Sequence, residues 1–263
     1  MKILVAIKQV PERDSRLTLD SAGQGIVETD LNWEINEADR YALETALRLK
    51  EAQGEGEVVA ATVGPDRARK ALAAALAMGA DRGVHLNAPE FQGGDPIAVA
   101  HTLAALVRRD GYDLVLGGAR SDDSGYGQTP ALLAGLLDWP SVFLTMGVEP
   151  LDGKLRVVRE LEAGRQEVSE IPLPAVLAIQ SGIHEVRYTS LKGIMAAKKK
   201  PVDQPTPDEL HLDMSHMGRT GSRLKILSLA PPEKKGHCEM IEGKPAEAAQ
   251  VLVEKLRKDA KVL

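Results

Sequence analysis

Residues 117–130 read Gly117-Gly118-Ala119-Arg120-Ser121-Asp122-Asp123-Ser124-Gly125-Tyr126-Gly127-Gln128-Thr129-Pro130. Glycines let a backbone turn tightly and aim successive N–H groups at an anion. Gln128, Thr129 and Pro130 open a helix whose free N–H groups and dipole favour phosphate. Such a loop could hold a phosphate without a lysine. The same residues also suit an ordinary strand-to-helix turn, so both readings stay open on these features alone. Neither the P-loop pattern nor G-x-G-x-x-G occurs. The acidic pair Asp122-Asp123 opposes an exposed polyphosphate unless its side chains point away.

The second informative stretch is Tyr188-Thr189-Ser190-Leu191-Lys192-Gly193-Ile194-Met195, followed by Lys198-Lys199-Lys200-Pro201. Leu191 lies among small and polar residues in a segment that reads as a loop. It is either an apolar anchor offered to a partner or a leucine that pins its loop to the core. The lysines are either a solvated cationic edge or a docking patch. His211, His216 and His237 match no zinc-ligand spacing, and Cys238 shows no sign of activation. Glu160 and Glu162 read as solvated hairpin residues. No Ser/His/Asp order or carboxylate pair stands out, so nothing marks a reaction centre.

Composition narrows the function classes further. Of 263 residues, 33 are Lys or Arg and 38 are Asp or Glu, for a formal charge of −5 and too few cations to make phosphate neutralisation the basis of affinity. Aromatics make up 3%, too few for base-stacking platforms. Nucleic acid is therefore not the expected partner. A single cysteine excludes an intrachain disulfide. The most apolar stretch, residues 71–80, is far short of the roughly 20 residues that span a bilayer. The first ten residues read as a strand rather than a targeting signal, so a cytoplasmic, non-integral protein is expected.

The elements that must position the two stretches follow from periodicity. Continuous aliphatic runs at 3–7, 57–63 and 113–117, with a shorter one at 83–86, read as strands covered on both faces. Helical spacing spans 36–53, with Asn36 as its cap, then 66–78, 96–109 and 128–137. This alternation predicts an α/β fold: a mainly parallel Rossmann-like sheet with helices on both faces. Residues 155–161 and 166–171 predict an antiparallel hairpin edge, and residues 174–179 another buried strand. A second small hairpin is expected within residues 17–28. Residues 1–200 form the expected nucleotide-binding α/β domain, and residues 201–263 a C-terminal arm ending in a helix at 245–258. Ligands of open parallel sheets bind beyond the strands' carboxyl ends. The segments 6–9, 63–65 and 117–127 all emerge there.

Taken in order, these residues resemble the beta subunit of electron transfer flavoprotein over nearly the whole chain. The likeness rests on residues 3–10 (Ile-Leu-Val-Ala-Ile-Lys-Gln-Val), 46–51, 73–83, Gln128-Thr129, Leu137-Asp138-Trp139-Pro140, Leu173-Pro174-Ala175-Val176 and 187–200. The resemblance implies a non-catalytic half of a heterodimer, whose alpha subunit holds most of the FAD. That flavin carries electrons from acyl-CoA and other dehydrogenases to a quinone oxidoreductase. It also implies a buried AMP contacted by Ala6, Asn36, Val63, Asp123, Ser124, Gly125, Tyr126, Gly127, Gln128 and Thr129. Residues 184–200 match the family's recognition loop, with Leu191 at its anchoring leucine and Tyr188, Ile194 and Met195 beside it. Arg13 and Ala38 stand where some members carry aromatics near the flavin, and Ala163 where a glycine or acidic residue is usual. The alternatives are a bifurcating relative with a second FAD in the AMP site and a free-standing adenine-nucleotide-binding protein.

Overall fold

The computed structural model describes residues 1–233 and 238–263. Its first strand, β1 (Lys2–Ala6), is the continuous aliphatic run, with Ile3, Leu4 and Val5 fully buried. After β2 (Gln9–Pro11), an excursion returns through β3 (Trp33–Ile35), which pairs antiparallel with β2. The expected small hairpin within it is reduced to one bridge, Leu19 to Ile26. Then come α1 (Glu37–Gln53), β4 (Glu57–Val63), α2 (Arg69–Met78), β5 (Arg82–Leu86), α3 (Pro96–Asp110), β6 (Leu114–Gly118) and α4 (Thr129–Leu137). The chain continues through β7 (Ser141–Leu151), β8 (Lys154–Glu160), β9 (Gln166–Pro172), β10 (Ala175–Ile179), α5 (Leu191–Ala197), β11 (Val202–Asp203), α6 (Gly218–Gly221) and α7 (Pro245–Lys258).

Nine strands form one sheet in the order β11-β5-β4-β1-β6-β10-β7-β8-β9. Pairing is parallel from β11 to β7, and β7, β8 and β9 are antiparallel. Helices α1 and α2 cover one face, where Leu43, Leu47, Leu72 and Leu76 meet Ile3, Val5 and Leu116. On the other face, Leu103, Leu106 and Leu133 of α3 and α4 pack against Leu4, Val59 and Val115. The α/β fold expected from the strand and helix periods is the fold observed. Strand β1 lies between β4 and β6, which is the order a crevice at the carboxyl edge requires.

Three further elements differ from the sequence expectation. The eleven-residue β7 does not show in the pattern, because its first part pairs parallel with buried β10 and the rest pairs antiparallel with β8 at a wet edge. Neither the buried nor the alternating pattern holds throughout, and the register shifts near Thr145. Residues 191–197, read as loop, form α5, with the Ser190 hydroxyl accepting from Gly193 N–H. Seven residues with none buried offer no periodicity to detect. Past residue 200, β11 joins the sheet beside β5, and Leu210 and Met217 are buried in the α3-side core. Gly218 and Gly221 of α6 are buried as well, the described residues 223–233 and 238–240 are exposed, and no residue of α7 is buried. In the β8–β9 turn, Ala163 takes φ +59°, left-handed backbone that favours glycine.

Candidate functional site

Ala6 ends β1 and lies directly beside Gly117 of β6 in register. On its other side it faces Ala61 of β4, and Val63 ends that strand. Ala6 and Val63, both half-buried, point to the face covered by α3 and α4. Helix α4 begins on the same face: a Cβ placed on Gly117 would lie 3.6 Å from Pro130 Cγ. Small side chains at adjacent strand ends thus sit below the first turn of α4. Residues 119–128 connect β6 to α4, with Gly125 and Gly127 at φ +67° and +61°, values that favour glycine.

Gln128 stands at the N-cap of α4 but makes no side-chain capping bond, and Pro130 follows in the first turn. Residues 122–128 are exposed and Thr129 is half-buried. The first-turn N–H groups of α4 therefore carry no cap from the Gln128 side chain. This arrangement can hold an anion against the loop and a flat apolar group over the strand ends.

The acidic pair does not oppose that use. Lys8 Nζ donates to Asp123 Oδ1 at 2.7 Å and to Ser124 Oγ at 3.1 Å. Burial pushes the Asp123 carboxyl up, but the Lys8 ammonium together with the hydrogen bonds from Ser121 and Ser124 N–H outweighs it and leaves the pKa below its ordinary value. Asp122 turns the other way, and its Oδ2 accepts Glu37 N–H at 3.3 Å. Each carboxylate is thus engaged with its own donor.

Asn36 corrects the sequence reading. It occupies the N-cap position of α1 but makes no side-chain capping bond. Instead its amide, 1% exposed, donates to Arg120 O at 3.1 Å and accepts from Asp122 N–H at 2.9 Å. The capping acceptor comes from Asp122, far away in sequence. Asn36 therefore shapes the loop from behind. Sequence reasoning also missed Lys8 and Asp39. Asp39 is 5% exposed, and its carboxylate accepts N–H groups from Lys8 at 2.7 Å and Gly118 at 2.9 Å. A signal existed: Asp39 precedes buried Ala42, Leu43 and Ala46 by three, four and seven positions, so it lies on the buried helix face.

The second stretch lies at the opposite end of the sheet. Helix α5 packs on the end of α2, where a Cβ on Gly193 would sit 2.5 Å from Ala77 O. Lys200 Nζ donates to Leu76 O and Ala80 O at 2.9 and 2.6 Å, satisfying carbonyls at the end of α2. Arg187 grips α1, with Nε 2.8 Å from Glu44 Oε2 and Nη1 2.6 Å from Glu51 Oε1. Held on these sides, α5 leaves Tyr188 at 100% exposure, Leu191 at 81%, Met195 at 70% and Ile194 at 45%. Leu191 is thus not a core residue, and its segment is a seated helix rather than a loop.

The remaining candidates do not converge. Among the described residues no group of three His, Cys, Asp or Glu side chains is placed to hold a metal, and His237 lies outside them. His216 stacks on His101 at 4.3 Å between ring centroids. Among the described residues no helix is long and apolar enough to cross a membrane.

Comparison with known proteins adds an independent line. An electron transfer flavoprotein domain model matches residues 24–210. The chain is 35% identical over 257 residues to the electron transfer flavoprotein subunit beta of Methylophilus methylotrophus, covering 97% of each chain. It is 35% identical over 265 residues to that of Bacillus subtilis (strain 168), covering 100% of each. Identity to the human electron transfer flavoprotein subunit beta is 33% over 264 residues, or 100% of this chain and 99% of that one. With matches of this extent laid over the order of elements described above, the chain belongs to the electron transfer flavoprotein beta-subunit family.

Proposed function

We propose that this chain is the non-catalytic subunit of a heterodimeric electron carrier, holding AMP in the crevice and docking dehydrogenases through α5. The observation that carries the nucleotide reading is the register pair Ala6–Gly117 beneath the uncapped first turn of α4. Ala6 and Val63 flank the adenine. N–H groups of residues 123–129, with the Gln128 and Thr129 side chains, take the phosphate. Asn36 keeps the loop in shape. The FAD, held mainly by the alpha subunit, supplies the electron-carrying chemistry. Arg13, which pairs with Glu37 at 2.8 Å, and Ala38 offer that flavin no aromatic surface. The exposed arm ending in α7 fits the role of packing on the alpha subunit.

Denaturing the purified heterodimer and chromatographing the supernatant tests this reading. Stoichiometric AMP beside one FAD is the expected result. Two FAD per heterodimer would replace it with the bifurcating reading, and no adenine nucleotide would overturn it.

For α5, Tyr188, Leu191, Ile194 and Met195 present an apolar surface that the described residues leave exposed. Partners that fit are acyl-CoA and other flavin dehydrogenases, with the quinone oxidoreductase receiving the electrons. Exposed anchors cost little in the free protein, whereas interface hot spots cost about 2 kcal/mol or more. Leu191→Ala should therefore slow flavin reduction by a partner dehydrogenase by about 30-fold at limiting concentration. Thermal midpoint, FAD content and reduction by dithionite should stay as in the wild type. A large loss of stability, or normal reduction by every dehydrogenase assayed, would return Leu191 to a structural role.

A further inference from the structure

We propose that Asp39 is a positioning residue of the nucleotide crevice, its carboxylate fixing the separation of the β1 and β6 ends on which the bound nucleotide lies. The proposal rests on the nucleotide reading above. Backbone pairing between these strands ends at Ala6 and Gly117. Beyond that pair the chains separate, one toward β2 and the other into the loop leading to α4. The Asp39 carboxylate spans the gap, with Oδ2 on Lys8 N–H at 2.7 Å and Oδ1 on Gly118 N–H at 2.9 Å. A side chain thus continues the ladder where the backbone stops.

The neighbours leave little slack. Gly118 approaches α1 so closely that a Cβ there would collide with the Asp39 carboxylate and sit 2.7 Å from Ala38 Cβ. Asn36, in the same turn, holds Arg120 O and Asp122 N–H. The start of α1 therefore grips both walls of the crevice, and its positive dipole end favours an anion at this place.

The charge on Asp39 matters because each oxygen receives an N–H. A protonated carboxyl turns one acceptor into a donor that faces another donor. Burial raises the Asp39 pKa to about 6, against the lowering effect of the bonds from Lys8, Asn36 and Gly118. The other charges around it are engaged elsewhere. Lys8 Nζ bonds Asp123, Asp122 accepts Glu37 N–H, and the Glu37 carboxylate holds Arg13. Arg120 contributes its carbonyl to Asn36. AMP affinity is then full above pH 7 and falls as pH drops through about 6, since the ionised carboxylate is the form that bridges.

The test is calorimetric titration of AMP into the nucleotide-stripped heterodimer between pH 5.5 and 7.5, with wild type and Asp39→Asn. The isosteric amide should bind AMP about tenfold more weakly at pH 7.5, the scale of one lost charge-assisted hydrogen bond. Wild-type affinity should fall about fourfold more than that of the variant between pH 7.5 and 5.5, from a group titrating near 6. Titration of the AMP phosphate is common to both proteins and cancels. Adenosine, which has no group titrating in this range, provides a check that needs no variant, and its affinity for the wild type should fall by the same factor. Equal affinity and equal profiles for the two proteins, or a flat adenosine profile, would overturn the role of Asp39 while leaving the nucleotide site in place. A wild-type complex that takes up neither ligand would overturn both.

Discussion

Arg187→Ala is expected to destabilise the protein by about 2–4 kcal/mol, somewhat less than the about 3–5 kcal/mol of breaking a fully buried ion pair when one partner charge stays behind, because Arg187 is itself partly exposed. The Glu44 side chain is only 2% exposed. It receives Arg187 Nε at 2.8 Å, Arg187 Nη2 at 3.2 Å and Arg48 Nε at 2.7 Å. Arg187 also reaches Glu51 at 2.6 Å, so one guanidinium joins two carboxylates two turns apart on α1. Removing it leaves Glu44 buried with Arg48 alone, which is why the low end of that range is included.

The dependence on pH separates this mechanism from simple loss of packing. Burial raises the Glu44 pKa, but the Arg187 and Arg48 bonds outweigh it, and the net shift is downward. Glu51 is lowered mainly by its hydrogen bond to Arg187. A carboxylate with a depressed folded-state pKa adds stability above its unfolded value and loses it as pH falls through the folded one. The gap between wild type and Arg187→Ala should therefore be complete at pH 7 and close below the ordinary value of 4.5. Urea midpoints at pH 7 and pH 3.5 measure it. A gap that persists unchanged at the lower pH would assign the loss to packing. Because Arg187 joins the chain leading to α5, the same variant should speed amide exchange at residues 188–197 without altering the crevice loop.

The fold was legible where a single environment covers a whole element. β1 and β4 are buried on both faces and read as unbroken aliphatic runs, and α7 shows its amphipathic period although none of its residues is buried. Element order then placed β1 beside β6 and so located the crevice. What escaped was set by contacts distant in sequence. Asn36 has the side chain of a helix cap, and nothing local reveals that Arg120 and Asp122 claim its amide while Asp122 supplies the capping acceptor. Lys8 likewise finds Asp123 across 115 positions. Asp39 was closer to legible, since an acid on the apolar stripe of a helix demands buried donors. Finding which donors required the ends of two strands to be in place.

Gly118→Ala should be the most damaging single-methyl change at the crevice. The position does not need glycine for its backbone angle; it needs the space. A Cβ there would run into the Asp39 carboxylate and lie 2.7 Å from Ala38 Cβ and 2.9 Å from the Ala38 carbonyl carbon. Backbone and a bonded carboxylate cannot swing aside as the end of a flexible side chain can, so the first turn of α1 must move. Overpacking costs about 1–3 kcal/mol, and the strained Asp39–Gly118 hydrogen bond, to a charged acceptor, accounts for about 1.5–3 more. Against a typical stability of about 5–15 kcal/mol, the sum should lower the thermal midpoint by about 10 °C in a chain of this size. Gly135→Ala is the matching control. It adds the same methyl inside α4, where a Cβ meets nothing within 4 Å. Relief of the helix penalty of glycine should leave that variant as stable as wild type or up to about 1 kcal/mol more so. Scanning calorimetry of the two variants decides the matter. Similar midpoints for both would show that α1 can recede from β6 at little cost, and the tight junction between Asp39 and the crevice wall would lose its structural basis.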